Sequence, residues 1–193
     1  MKKLYILLLF VSILMQTGAL QAQDDLYKEK KRRNERIFYG GNFSLAIGSI
    51  TWIELSPLIG YRLTPRLSSG IGITYIYQKY DYGLITYKTH IYGGKVFADY
   101  TLIRNIGETI GILDHTSFFL HGEHEVLSLE RAYFDYLHPF TPGRMVAGNT
   151  WLGFGLKQHF GGNSGLFFMI MWNMSGSRYT PYSSPVLKAG FLF

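Results

Sequence analysis

The sequence predicts an all-β fold, an eight-stranded antiparallel up-and-down transmembrane β-barrel. Three observations predict it. Successive stretches alternate apolar residues with small or polar ones, at the length of roughly ten residues that a tilted strand needs to cross a bilayer. The chain closes on one of them, Leu187-Lys188-Ala189-Gly190-Phe191-Leu192-Phe193. Side chains along a strand point alternately to its two sides, so Leu187, Ala189, Phe191 and Phe193 form a continuous apolar face. The other end of the chain reads as an export signal.

Residues 1–22 form that signal. Lys2 and Lys3 precede an apolar run from Leu4 to Met15, and small and polar residues follow to Ala22, where cleavage is expected. The run is too short for a spanning helix, which needs about 20 apolar residues. The 193-residue chain has no cysteine, so neither disulfides nor a lipidated cysteine enter the account. Aromatics at 17% and 22 glycines favour strands with tight turns.

Residues 23–36 read as a charged, flexible periplasmic lead-in without strand patterning. The cluster Lys30-Lys31-Arg32-Arg33 could touch anionic head groups, but a solvated tether is the favoured account of it. Of the formal charge of +6, Lys2 and Lys3 leave with the signal and the lead-in holds a net of two. The small remainder on 37–193 makes no nucleic-acid surface, and no nucleic-acid partner is expected.

Residues 37–193 form the barrel. Strands are predicted at 37–48, 52–63, 67–80, 88–102, 116–128, 144–160, 165–175 and 185–193. Gly48-Ser49, Thr64-Pro65-Arg66 and Gly161-Gly162-Asn163-Ser164 are short turn signals, whereas 81–87, 129–143 and 176–184 are longer and aromatic. Short turns on the periplasmic side and longer loops outside suit an outer-membrane barrel, although the first outer loop, near 49–51, is very short for one. The segment 103–115 is long for a periplasmic turn and either extends two strands or forms a small separate element.

Charge placement sets the faces. In the second strand Ile53, Leu55, Pro57, Ile59, Tyr61 and Leu63 oppose Glu54, Ser56, Gly60 and Arg62; in the fourth, Tyr92, Val96, Ala98, Tyr100 and Leu102 oppose Gly93, Lys95, Phe97 and Asp99. In the fifth, Leu120, Gly122, His124 and Val126 oppose His121, Glu123 and Glu125; in the sixth, Leu152, Phe154 and Leu156 oppose Trp151, Gly153, Gly155 and Lys157. The inward charges are then Arg62, Lys95, Lys157 and Lys188 against Glu54, Asp99, Glu123 and Glu125. An eight-stranded barrel is just wide enough to be filled by side chains, and a balanced set can neutralise itself there. A one-residue slip would put such a cation in lipid, at about 2–4 kcal/mol near the midplane. Trp52, Tyr75, Tyr77, Tyr92 and Trp172 are expected toward the outer rim, and Tyr39, Tyr61, Tyr100 and Phe193 toward the periplasmic rim.

With these features the chain resembles the small bacterial outer-membrane β-barrel proteins, the OmpA/OmpX-like β-barrel domain group, over roughly 37–193. Terminal Phe193 with Phe191 is similar to the signal read by the barrel-assembly machinery, although Lys188 stands where that signal has glycine. The resemblance implies an outer-membrane location, lipid and lipopolysaccharide as surroundings, and the assembly machinery as partner during insertion. A soluble secreted barrel is the structural alternative.

No catalytic residue, cofactor or metal is assigned, and the ligand and surface partner are unknown. His121-Gly122-Glu123-His124-Glu125 is rich in potential ligands. On a strand its histidines face opposite ways, which favours a lumen network over a metal. His115 and Ser117 match the His-x-Ser pair of lipid A deacylase barrels, with Glu130 the nearest loose candidate for the acid. Tyr82, Tyr87, Tyr133, Phe134, Tyr136, Tyr179 and Tyr182 fall in the outer loops, where they could anchor a sugar or a protein or pack on each other. The expected function is non-enzymatic: envelope structure or surface interaction through the loops, around a side-chain-filled polar lumen. A narrow pore for small solutes and a lipid A-modifying enzyme are the alternatives.

Overall fold

The computed structural model describes residues 36–46, 50–81, 86–110, 113–134, 142–177 and 179–193. The expected signal peptide, the lead-in as far as residue 35 and the Gly48-Ser49 turn lie outside the described residues.

Eight strands close into one barrel in sequence order. They are β1 (Ile37–Ala46), β2 (Ile50–Arg62), β3 (Leu67–Asp81), β4 (Thr86–Ile103), β5 (Thr116–Glu130), β6 (Arg144–Gly161), β7 (Ser164–Asn173) and β8 (Val186–Leu192). Each pairs antiparallel with the next, and β8 returns to pair with β1. Closure leaves no free sheet edge along paired segments, the condition for strands to sit in lipid.

The turns follow local chemistry. Thr64 Oγ1 accepts the backbone N–H groups of Arg66 (3.2 Å) and Leu67 (2.9 Å), capping the β2–β3 turn. Gly161 and Gly162 take φ of 121° and 55° between β6 and β7, a backbone setting open to glycine. The segment after β4 is a small element of its own. It holds a one-turn helix, α1 (Gly107–Ile110), and Asn105 Oδ1 accepts the N–H groups of both Gly107 and His115 at 3.1 Å. A second short helix, α2 (Arg131–Phe134), follows β5 and buries Phe134.

The two faces of the wall differ sharply. Outward-facing Leu45, Ile71, Ile73, Val146, Phe168, Leu187 and Phe191 are exposed, while inward-facing Ile76, Ile91, Leu127, Trp151 and Met171 are fully buried. A soluble barrel does not carry such a band of exposed apolar side chains. Trp52 departs from the rim expected of it: it faces inward and packs on Tyr182, with ring centroids 5.7 Å apart. Its even position in β2 puts it on the face of Glu54.

Candidate functional site: a packed lumen

The inward face of each strand delivers its charges to the lumen. Glu54, Lys95, Asp99, Glu123, Glu125 and Lys188 are buried, and Lys157 and Arg62 are half-buried. A chain of contacts crosses the barrel. Lys188 Nζ donates to Glu123 Oε1 at 3.1 Å, and Lys95 Nζ lies 3.4 Å from Glu123 Oε2. His121 bridges onward, with Nε2 3.3 Å from Glu123 Oε2 and Nδ1 2.6 Å from Asp99 Oδ1. Lys157 Nζ ends the chain 3.5 Å from Asp99 Oδ2. Strands β4, β5, β6 and β8 are thereby tied together through the interior.

His121 is the member that charge counting from the sequence left out. Both of its nitrogens face carboxylate oxygens, and both can donate at once only in the imidazolium form. Arg62 stands apart from this cluster. It lies 5.7 Å over the Phe38 ring and donates to Asn163 Oδ1 near the barrel end. Glu125 accepts Thr74 Oγ1 at 2.7 Å, and its second oxygen is buried without a partner. Glu54 accepts Asn42 Nδ2 at 2.8 Å and the Tyr182 hydroxyl at 3.4 Å.

The lumen is not simply polar, because aromatic rings fill it beside the charges. Phe38 lies opposite Gly60, Phe97 opposite Gly70, Phe119 opposite Gly155 and Phe167 opposite Gly190. A Cβ at any of these glycines would fall less than 3.0 Å from its partner's ring. The missing side chain opposite each ring is what lets it lie flat on the neighbouring strand. One such pair occurs in each of β1–β2, β3–β4, β5–β6 and β7–β8, so the rings are distributed around the barrel. Together with Lys95, Asp99, His121, Glu123 and Lys157 they enclose a void of only about 20 Å³. That is room for about one water.

The loop between β7 and β8 adds a plug. Tyr182 turns inward, edge-on to Trp151 at 5.7 Å and 5.0 Å from Lys188 Nζ. Burial, with Glu125 and Glu54 nearby, pushes its phenol well above the usual tyrosine range. Of the other loop aromatics, Tyr133 is exposed, Phe134 is buried and Tyr179 packs against the core. The side chains of Tyr82, Tyr87 and Tyr136 lie outside the described residues.

His115 and Ser117 are not brought together as a pair. His115 precedes β5 with φ of 60°, whereas Ser117 is buried in the lumen wall. The Ser117 hydroxyl meets a different histidine, His159 Nε2 at 3.1 Å. Glu130 sits at the far end of the fifteen-residue strand β5, 3.6 Å from Arg144. Among the described residues no group of three or more His, Asp or Glu side chains converges to hold a metal.

No protein-family model matches the chain, and no curated protein matches it. Among solved structures it is similar to the crystal structure of the N-terminal β-barrel domain of Pseudomonas aeruginosa OprF, at 14% identity and a TM-score of 0.45. The match covers 81% of this chain and 94% of that one. The barrel itself rests on the strand registers given above.

Proposed function

We propose that this chain is a non-enzymatic outer-membrane β-barrel, exported through a cleaved N-terminal signal, that serves envelope structure or surface interaction through its outer loops. Outer-membrane lipid and lipopolysaccharide surround it in this reading, and the barrel-assembly machinery inserts it. The observation that carries a closed barrel rather than a pore is the packing of the lumen. The Phe rings and the Lys188–Glu123–His121–Asp99–Lys157 chain leave a void of about 20 Å³ at the level where they meet. Water-filled porins, by contrast, are built from 16–18 strands. The exposed apolar outer face supports the membrane location.

The test is planar-bilayer recording of the refolded mature protein. Stable insertion without conductance steps is expected. Reproducible conductance steps would replace this reading with the pore. A protein that stays soluble without detergent would replace it with the secreted barrel. Deleting the gene and following lipid A mass tests the enzyme alternative, and an unchanged profile is expected.

A further inference from the structure

The seam that closes the barrel is its shortest. β8 meets β1 through Gly40–Leu192, Gly41–Phe191 and Asn42–Gly190, with Tyr39 and Phe193 exchanging backbone hydrogen bonds of 2.8 Å beside them. Beyond Asn42 the pairing stops, although β1 runs on to Ala46 and β8 begins at Val186. In an antiparallel ladder, residues alternate between presenting and not presenting their N–H and C=O groups to a given neighbour. Tyr39 presents them to β8, so Phe43 and Leu45 do also, toward Ala189 and Leu187. No register pairs these residues on that edge. Gly41, with φ of 153°, stands beside the point where the strands part.

A cleft of about 530 Å³ occupies this gap. Its lining includes lumen-facing Glu54, Gln78 and Lys188 together with outward-facing Phe43 and Leu187. Residues from opposite faces of one sheet line a single cavity where it passes through the wall or around its rim, and the unpaired seam beside the loop residues Pro181 and Ser183 supplies that opening. The inner end is rich in acceptors. Glu54 has only neutral donors, Asn42 and Tyr182, and no cation within ion-pair reach among the described residues. Asn42 and Gln78 each keep a buried amide oxygen without a hydrogen-bond partner. The outer end is apolar, with Phe43 and Leu187 exposed. The volume falls in the range of about 300–1,000 Å³ typical of small-molecule sites.

We propose that the β1–β8 seam is a lateral binding site for a phospholipid bearing a primary ammonium, its head lodged against Glu54 and its chain lying outside the wall along Phe43 and Leu187. A primary ammonium supplies donors to the unsatisfied Asn42 and Gln78 oxygens and a positive charge within ion-pair reach of Glu54, and Lys188, which also lines the cleft, offers a cation to the head-group phosphate. A quaternary ammonium cannot donate a hydrogen bond. The inference rests on the barrel sitting in lipid.

The test uses the refolded mature chain in detergent micelles, titrated with lysophosphatidylethanolamine and, separately, with lysophosphatidylcholine. Native mass spectrometry counts bound lipid and tryptophan fluorescence, which includes Trp52 in the cleft wall, follows saturation. One lysophosphatidylethanolamine per barrel is expected, bound about tenfold more tightly than the choline lipid, since hydrogen bonds to a charged group are worth about that factor. Glu54→Gln is expected to remove that preference. Ser44→Trp, which fills the cleft from an exposed position, is expected to abolish binding even if Glu54→Gln fails to fold. Equal affinity for the two lipids, or unchanged binding in the folded variants, overturns the site. Flotation with liposomes is scored separately. A barrel that floats and binds neither lipid overturns the seam alone, and one that does not float overturns the membrane reading with it.

Discussion

Glu123→Gln is the substitution to which the barrel should be most sensitive. Glu123 is the one anion within ion-pair reach of both Lys188 (3.1 Å) and Lys95 (3.4 Å) among the described residues, and those side chains are 3% and 2% exposed. Glutamine keeps the shape and an acceptor oxygen but removes the charge. Asp99 keeps Lys157, whereas Lys188 and Lys95 both lose their ion-pair partner and keep only Glu125 and Glu54 at longer range. Leaving a buried charge uncompensated costs about 3–5 kcal/mol, and that is the expected loss. Lys188→Met should cost less, because Glu123 then still has Lys95 and His121. Combining the two leaves only Lys95 uncompensated, so their effects should couple by about 1–3 kcal/mol rather than add. The assay is reversible urea unfolding in lipid vesicles followed by tryptophan fluorescence, with the denaturant slope checked for constancy. A Glu123→Gln variant within about 1 kcal/mol of wild type, or strict additivity in the cycle, would refute the network as a mutually compensating unit.

Two further outcomes follow from the packing. Gly190→Val should obstruct barrel closure, since a Cβ there meets the Phe167 ring and the Gly41 carbonyl oxygen, and overpacking costs about 1–3 kcal/mol or more; the folded fraction, read from heat-modifiable gel mobility, should fall and should recover partly on adding Phe167→Ala. One tyrosine, absent from the Tyr182→Phe titration, should ionise well above the usual range in an alkaline absorbance titration, because the fold holds on Tyr182 a proton that the unfolded chain releases near pH about 10. Stability from this group is therefore complete below that pH and is lost as pH rises above it, and Tyr182→Phe should flatten the slope.

The faces of the strands were legible because they depend on one strand at a time. Period-two alternation alone puts Glu54, Lys95, Asp99, Glu123, Glu125, Lys157 and Lys188 on one side of their strands. Partnerships were not legible, because they depend on register and on reach across the lumen. Arg62 shares a face with Glu54 but lies about 26 Å along β2 at the usual rise per residue, so it belongs to the barrel end. His121 takes its place in the network because it stands directly opposite Asp99 in the β4–β5 register. The Phe–Gly pairs are hidden for the same reason: Phe97 and Gly70 are far apart in sequence and meet only through the β3–β4 register. Tyr182 looked like a surface aromatic because nothing in a loop's composition says that it folds inward.

Alternation by itself fits a soluble barrel as well as a membrane one, and the distribution of outward charge separates them. Lys79 and Lys88 are cross-strand partners near the loop ends of β3 and β4, and Glu130 and Arg144 are partners at the loop ends of β5 and β6. Below that rim, β6 presents Val146, Gly148, Thr150, Leu152, Phe154 and Leu156 outward without a charge. Those residues cover about 33 Å of strand, which at a tilt of 35–45° is about 25 Å of height. That matches the apolar band of an outer-membrane barrel. A soluble barrel of this size would have no reason to keep charges off its exterior while burying Lys95, Glu123 and Lys188 inside. Here the charges are buried where they can compensate one another, and the apolar side chains face outward, where only lipid makes their exposure favourable.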